Sequence, residues 1–192
     1  MAILARNGFT EAHSMEGGIT AWEGSRAAGP PEAGIAYFTP ADDAGEMTAL
    51  AWSLEHNTRK LYMALNEIEI LTGSGDIFSK LASAEDHHKQ ALEEFYYDRY
   101  GKPLSLLTDR LDLEILEGGA RLAETLAWVD GRSFPEILHM ALALEANAYD
   151  RYLQMINAAD DEDAKDIFRM IAREEKDHLK LLGDLLDSKE AE

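Results

Sequence analysis

The chain has 192 residues and a formal net charge of −19 at pH 7, from 18 Lys and Arg against 37 Asp and Glu. This charge argues against broad contact with nucleic acid or an anionic membrane, both of which need a basic face, and leaves cation binding open. The absence of cysteine excludes disulfides, thiolate-bound metals and a cysteine nucleophile.

Residues 1–38 differ in character from the rest of the chain. They hold six of the 14 glycines and two of the five prolines, a density typical of turns and loops. From residue 39 onwards apolar residues recur at helical spacing, and strand-like alternation is absent. The sequence therefore predicts an appended segment and linker at 1–38, followed by one all-α domain at 39–192.

Four long helices are predicted within that domain, at residues 40–72, 76–100, 133–159 and 161–187. A Gly- and Ser-containing stretch, 72–75, ends the first helix, and Asp76 is a good N-cap for the second. Ser133 and Glu136 form a capping box at the start of the third. The stretch 102–132 is long enough to cross a bundle from end to end. We therefore expect an antiparallel four-helix bundle with a long crossover between its second and third helices.

An internal repeat relates the two predicted helix pairs at an offset of 90 residues. In each half a Glu is followed by a Tyr seven residues later and by a Glu-x-x-His motif thirty residues later. The repeated positions are Glu55 and Glu145, Tyr62 and Tyr152, Glu85 and Glu175, and His88 and His178. One Glu-x-x-His arises readily by chance in an acidic helical protein, but two copies in register are strong evidence of a site.

The repeated Glu and His residues lie on the apolar faces of their helices. In the second helix this face includes Leu81, Glu85, His88 and Leu92, in steps of three and four. Four glutamates and two histidines are therefore predicted to point into one core, where burial of unpaired carboxylates is costly. No Lys or Arg shares these positions, so we expect divalent cations to balance the charge.

At these positions the chain resembles the ferritin-like di-iron carboxylate proteins, which place one Glu on each of two helices and Glu-x-x-His on each of the other two. The resemblance covers residues 40–187 and implies two iron ions, with Mn or Zn as substitutes. It also implies that Glu85 and Glu175 bridge the two metals. The terminal ligands would be Glu55 with His88 and Glu145 with His178, or the reverse pairing.

Within that family the chain looks most like the rubrerythrins, which reduce hydrogen peroxide at the di-iron site. Rubrerythrins carry a further glutamate three residues past the ligand of the third helix, where this chain has Ala148, and a rubredoxin module that needs four cysteines. The resemblance implies a non-haem di-iron oxidoreductase of the peroxidase or ferroxidase type, which uses peroxide or dioxygen and an external electron donor protein. The alternative is an iron-handling or metal-sensing module without multiple-turnover catalysis.

Several residues beside the predicted ligands have other interpretations. Tyr62 and Tyr152 lie two turns beyond the first glutamate of each half, either as core aromatics or as hydrogen-bond donors to ligand carboxylates. His56 and His87 point away from the apolar faces and are expected at the surface. Bacterioferritins share the six ligands, but Asp86 stands where they have a haem-ligating methionine, so no haem is expected.

The first thirty residues resemble the C-terminal tail of a rhodanese domain. The resemblance rests on Gly8-Phe9, Gly17-Gly18-Ile19, Ala21-Trp22 and Gly29-Pro30. The sulfur-transferring cysteine of that family and most of its sheet are absent, so the segment is predicted to be a non-catalytic remnant. Its large apolar side chains are expected to dock on the bundle or on a second copy of the chain, which favours a homodimer.

Neither a membrane span nor a signal peptide is predicted from the sequence. No apolar run approaches the roughly 18 residues that a transmembrane helix needs. The apolar stretch before Arg6 is too short for a signal peptide. We therefore expect a cytoplasmic protein that binds neither membranes nor nucleic acid.

Overall fold

The computed structural model of the chain describes residues 43–68, 76–109, 111 and 114–190. Regular structure within these ranges is helical, apart from one isolated β-bridge between Ile115 and Arg121. The all-α prediction is therefore confirmed for the part of the chain that is described. The predicted rhodanese-like remnant, residues 1–38, lies outside it.

The described helices include four long ones that correspond to the four predicted. In chain order the helices are α1 (Ala44–Asn66), α2 (Ile77–Tyr100), α3 (Ser105–Thr108), α4 (Leu122–Val129), α5 (Phe134–Ala158) and α6 (Glu162–Glu190). A 3-10 turn at Glu117–Gly119 lies between α3 and α4. Among these helices none combines the length and the apolar character that crossing a lipid bilayer requires.

The first helix is shorter than the sequence predicts. It begins at Ala44 because Asp43, in an extended conformation, caps it: the Asp43 carboxylate accepts the N–H of Glu46 at 2.9 Å. It ends at Asn66, where the N–H of Glu67 bonds to carbonyls three and two residues back instead of four. The remainder of the predicted first helix, residues 69–72, lies outside the described residues.

The ends of two other long helices test the predicted caps. Asp76 does occupy the N-cap position of α2, but its φ of 62° is left-handed instead of extended, and its side chain makes no capping hydrogen bond. At the start of α5, the Glu136 carboxylate accepts the backbone N–H of Ser133 at 2.9 Å, as expected for a capping box. The same carboxylate also accepts the Ser133 hydroxyl at 2.8 Å.

Two apolar layers show how the four long helices are arranged. One layer joins the C-terminal halves of α1 and α6 to the N-terminal halves of α2 and α5, through residues that include Leu61, Phe78, Leu138 and Leu182. The other joins the opposite halves, through residues that include Met47, Leu92, Met155 and Phe168. Each helix therefore runs antiparallel to its hairpin partner. The repeated Glu and His residues lie between the two layers.

The chain between α2 and α5, the crossover, returns from one end of the helices to the other. It contacts both α1 and α5. The buried side chain of Asn57 in α1 donates from Nδ2 to the carbonyl of Ile115 at 2.9 Å. The 3-10 turn passes close to α5, since a Cβ on Gly118, whose φ is 77°, would lie 2.3 Å from Asn147 Nδ2. This crossover is therefore packed between α1 and α5 near the middle of both helices.

Replacing Asn57 with alanine tests whether this anchor holds the crossover. The substitution leaves the buried carbonyl of Ile115 without its donor, which costs about 1–3 kcal/mol. We expect the free energy of unfolding, measured by urea denaturation, to fall by that amount. Asn66→Ala is the matched control, because Asn66 is exposed near the end of the same helix. Equal stabilities of the two variants would contradict the prediction.

Candidate metal centre

The structure brings the six predicted residues together in two overlapping groups. The first group is Glu55, Glu85, His88 and Glu175, and the second is Glu85, Glu145, Glu175 and His178. Within each group one potential ligand atom per residue lies within 4.8 Å of all the others. Glu85 and Glu175 belong to both groups, so each group could hold one metal ion with two shared carboxylates.

Each group combines residues from several helices around one histidine. His88 Nδ1 lies 3.2 Å from Glu55 Oε2, 3.4 Å from Glu85 Oε2 and 3.1 Å from Glu175 Oε1. These residues belong to α1, α2 and α6, and the side chain of His88 is fully buried. The N–H at His88 Nδ1 can donate to only one of these three carboxylates. A metal ion could bind the nitrogen and all three carboxylates, so the arrangement suits a cation better than a proton.

The second histidine repeats this arrangement at the 90-residue offset. His178 Nδ1 lies 3.1 Å from Glu145 Oε2 and 3.4 Å from Glu175 Oε2. The corresponding distances from His88 Nδ1 to Glu55 and Glu85 are 3.2 and 3.4 Å. The sequence repeat therefore corresponds to an internal pseudo-symmetry of the cluster. Glu55 lies beside His88 and Glu145 beside His178.

The two repeated tyrosines connect the halves of the cluster. Tyr62 in α1 donates its hydroxyl to Glu145 in α5, and Tyr152 in α5 donates to Glu55 in α1. Burial, together with the charge of these carboxylates, raises the pKa of both phenols well above 10. Both tyrosines therefore remain protonated donors, which orient one oxygen of each carboxylate and leave the other facing the histidine.

Burial and mutual repulsion keep protons on part of the cluster when no cation is bound. Burial and the charge of Glu175 raise the pKa of Glu145 to about 8. Burial and repulsion from Glu55 raise the pKa of Glu85 well above its ordinary value. These two glutamates therefore bind protons at neutral pH in the metal-free protein.

The histidines carry positive charge in the same state. Burial disfavours the charged ring of His178, but its contacts with Glu145 and Glu175 raise the pKa to about 10. Burial acts likewise on His88, where the charge of Glu55 and the contact with Glu175 raise the pKa well above 6.5. Burial would raise the pKa of Glu55 and Glu175 too, but the imidazolium neighbours lower both.

Buried oxygen atoms without hydrogen-bond partners test whether the cluster suits a cation. Glu85 Oε2 and both carboxylate oxygens of Glu175 are buried and accept no well-aligned hydrogen bond. Buried carboxylate oxygens without partners are rare in folded proteins and call for an ion or a water molecule. Carboxylate oxygens combined with imidazole nitrogens suit Fe²⁺, Mn²⁺ and Zn²⁺. The residues present therefore fit a pair of such cations.

One contact of the centre was not predicted from the sequence. His88 Nε2 lies 3.0 Å from Glu174 Oε2, whose side chain is 47% exposed. A carboxylate that holds one ring nitrogen of a histidine fixes the orientation in which the other nitrogen faces a metal. The helical pattern places Glu174 among solvent-facing residues, so no signal in the sequence indicated this contact. The equivalent residue in the first half is Ala84, so the pseudo-symmetry is broken here.

The other histidines in the described part of the chain lie apart from the centre. His87 and His139 are exposed, as expected for His87. His56 is half-buried instead of exposed, because its ring stacks on Trp52 at 4.9 Å between centroids. Burial and the nearby charge of Lys60 lower the pKa of His56 to about 4, so it remains neutral at physiological pH.

Replacing either tyrosine with phenylalanine removes a buried donor from one carboxylate. We expect Tyr62→Phe and Tyr152→Phe each to lower the free energy of unfolding by about 1–3 kcal/mol. Metal affinity should fall by about 10- to 100-fold in each, as for other residues that orient metal ligands. Tyr97→Phe is the control, since Tyr97 is 60% exposed on α2. If Tyr62→Phe or Tyr152→Phe matched Tyr97→Phe in both measurements, the tyrosines would be ordinary core aromatics.

One comparison with known protein families matches the C-terminal part of the chain. The sequence model of the family described as Rubrerythrin matches residues 136–192. The matched range contains most of α5 and all of α6, and with them Glu145, Glu175 and His178. No curated protein and no solved structure matches the chain. The family match and the buried cluster support a ferritin-like di-iron protein, and the rhodanese-like resemblance of residues 1–30 stays a prediction.

Proposed function

We propose that the protein is a di-iron oxidoreductase, which reduces peroxide or reacts with dioxygen at a carboxylate-bridged centre inside a ferritin-like four-helix bundle. The observation that carries this proposal is the pair of overlapping groups that share Glu85 and Glu175. Two divalent cations bring four positive charges to four glutamates, so the buried centre becomes close to neutral once its protons have left.

The six residues would take distinct roles around the two ions. Glu85 and Glu175 would bridge them, Glu55 and His88 would complete one coordination sphere, and Glu145 and His178 would complete the other. Bound iron would supply the exchange between ferrous and ferric states on which oxidation or reduction depends. Hard carboxylate ligands favour the ferric state, and the imidazoles help to retain the ferrous state.

The remaining residues of the centre orient ligands and handle protons. Tyr62 and Tyr152 hold the two terminal glutamates, and Glu174 holds His88. The buried apolar layers on either side restrict water around the centre. Peroxide reduction to water consumes two electrons and two protons. Because the 192 residues contain no cysteine for an iron–sulfur relay, we propose an external electron donor protein.

The second candidate function is iron handling or metal sensing without multiple turnover. The observation that favours it is Ala148, a buried residue on the same face of α5 as Glu145. Rubrerythrins, which the chain resembles, have a glutamate at the corresponding position. A centre with one carboxylate fewer from this helix could oxidise iron once and retain it.

Peroxide turnover distinguishes the two candidates. The metal-free protein is loaded with Fe²⁺ without oxygen and then mixed with excess hydrogen peroxide and ascorbate as an artificial donor. We expect many peroxide molecules consumed per chain. Peroxide consumption that stops after one oxidation of the bound iron would support iron handling. The variant Glu85→Gln/Glu175→Gln, treated in the same way, is the control for reactions of free iron.

We also propose a cytoplasmic homodimer in which residues 1–38 contribute to the dimer contact. The segment carries Phe9, Ile19 and Trp22, whose exposure to water would be unfavourable. Deleting residues 1–38 should halve the mass in solution, measured by light scattering, and leave metal content unchanged. A full-length chain that is already monomeric, or a deletion that stays dimeric, would contradict this proposal.

A further inference from the structure

The crossover inserts a carboxylate into the interior between the long helices. Glu117, in the 3-10 turn, is only 2% exposed. Arg151 Nη2 in α5 lies 3.0 Å from Glu117 Oε2, but neither oxygen of Glu117 accepts a well-aligned hydrogen bond. Nε and Nη1 of Arg151 are also buried without an acceptor. Two buried ionisable groups are thus held by a single contact.

The contacts of the turn place it at the level of the predicted metal centre along α1 and α5. Asn57, which holds the crossover through the carbonyl of Ile115, is two residues past Glu55 on α1. Asn147, against which Gly118 lies, is two residues past Glu145 on α5. The turn therefore meets α1 and α5 at the level of two predicted terminal ligands. Arg151 is the direct neighbour of Tyr152, which donates to Glu55.

The charges of the predicted ligands act on Glu117. Burial raises the pKa of Glu117 to about 8; Arg151 opposes the increase, and Glu55, Glu175 and Glu145 add to it. The charge of Glu117 in turn contributes to the raised pKa of Tyr152. Glu117 is therefore exposed to the field of three predicted ligands from three different helices.

A purely structural role explains these observations less well. A buried ion pair supports a fold when its remaining hydrogen bonds are satisfied, and here they are not. The residue equivalent to Arg151 in the other half of the repeat is Leu61, which is fully buried in an apolar layer. The helix arrangement thus accommodates an apolar side chain at this position. An unsatisfied acid and base beside the centre are better explained by a functional role.

We propose that Glu117 is a functional carboxylate of the metal centre, supplied by the crossover, which tightens the binding of its cations. This inference rests on the proposed two-metal centre. Cations neutralise Glu55 and Glu175, which are ionised in the metal-free protein and oppose the negative charge of Glu117. Arg151 then stabilises the ionised carboxylate, and its proton leaves to the solvent. The bound ions thereby gain a fifth negative charge nearby.

Cobalt binding to the full-length chain tests this proposal. Co²⁺ is titrated into the metal-free wild type, Glu117→Gln, Glu117→Gln/Arg151→Gln and Glu124→Gln, with affinity and released protons measured at pH 7. Glu124 is exposed on α4, so its variant controls for the loss of one negative charge. The double variant keeps the net charge of the wild type and leaves no unpaired arginine.

We expect Glu117→Gln to bind Co²⁺ about 10- to 100-fold more weakly than the wild type. Both variants at Glu117 should release nearly one proton fewer than the wild type, and the double variant should also bind more weakly. Glu124→Gln should behave as the wild type. A proton count reports the carboxyl itself, which a purely structural contribution would not change.

The contrary outcomes are equally distinct. Wild-type affinity and proton release in a folded double variant would assign the Glu117–Arg151 pair to structure alone and overturn the proposal. Failure of both Glu117 variants to fold, judged by circular dichroism, would assign the pair to folding and also overturn it. Absence of Co²⁺ binding by the wild type would instead refute the two-metal centre itself.

Discussion

Exchanging either shared glutamate for glutamine will weaken the binding of both metal ions, whereas exchanging a terminal glutamate will weaken one site selectively. Glu85 and Glu175 belong to both groups, and Glu55 and Glu145 to one each. Neutral glutamine removes one negative charge and one strong ligand from each ion it would have bridged. The loss of affinity should exceed the roughly 10- to 100-fold loss that follows from mutating a residue that only hydrogen-bonds to a metal ligand.

Equilibrium dialysis with Fe²⁺ in the absence of oxygen, followed by metal analysis, measures this difference. At a concentration that just saturates the wild type, Glu85→Gln and Glu175→Gln should retain little metal. Glu55→Gln and Glu145→Gln should retain about half. Glu94→Gln is the control, because Glu94 is exposed on α2. Equal losses in all four ligand variants would contradict the sharing of Glu85 and Glu175.

The metal-free protein will lose stability as the pH rises from about 5 to 9. Burial raises the pKa of Glu145 and of Glu117 from an ordinary 4.5 to about 8. Contacts with two carboxylates raise the pKa of His178, against the effect of burial, from 6.5 to about 10. Throughout this window the folded chain binds more protons than the unfolded chain. The free energy of unfolding therefore decreases with pH, by about 1.4 kcal/mol per unit for each excess proton.

Groups whose pKa is lowered in the folded chain do not reverse this decrease of stability with pH. The pKa values of Glu55 and Glu175 are lowered from 4.5, so their contribution to stability is present above that pH and is lost only in more acidic solution. Both residues are already ionised in folded and unfolded chains over the pH range considered. His56, whose pKa is lowered to about 4, binds one proton fewer in the folded chain below pH 6.5. Glu145 and Glu117 together bind about two more protons there, so stability still decreases as the pH rises.

Bound metal will counteract this loss increasingly as the pH rises. Cations must displace the protons of the cluster, so their apparent affinity grows with pH, and a ligand that binds only the folded state stabilises it by mass action. Melting temperatures at pH 5, 6, 7 and 8, with and without Co²⁺, measure both effects. A metal-free protein that gains stability over this range, or a Co²⁺-induced shift that is the same at every pH, would contradict the account.

The grouping of the six Glu and His residues could be predicted from the sequence because it follows from a periodic pattern. The positions of Glu85 and His88 on an apolar face follow from helical geometry alone, and the 90-residue repeat relates them to Glu175 and His178. The structure brings these residues together with nearly the same distances in each half. Helix type and phase are local properties, so they could be inferred without knowledge of the three-dimensional contacts.

The features that were missed depend on contacts between distant segments. Glu117 lies in the crossover, where no periodicity indicates which side chains point inward, and its burial follows from the fastening of the crossover to α1 and α5. Glu174 follows the helical pattern of a solvent-facing residue, yet its side chain reaches the ring of His88. The capping hydrogen bond predicted for Asp76 is absent because its backbone is left-handed, and the residue type alone does not predict that conformation.

The number of ferrous ions bound per chain tests the two-metal centre most directly. Metal-free, full-length protein is titrated with Fe²⁺ under anaerobic conditions, and bound iron is determined after removal of the free ion. The overlapping groups around Glu85 and Glu175 predict two Fe²⁺ ions per chain at saturation. Saturation at one ion per chain, or no retained iron, would contradict the account.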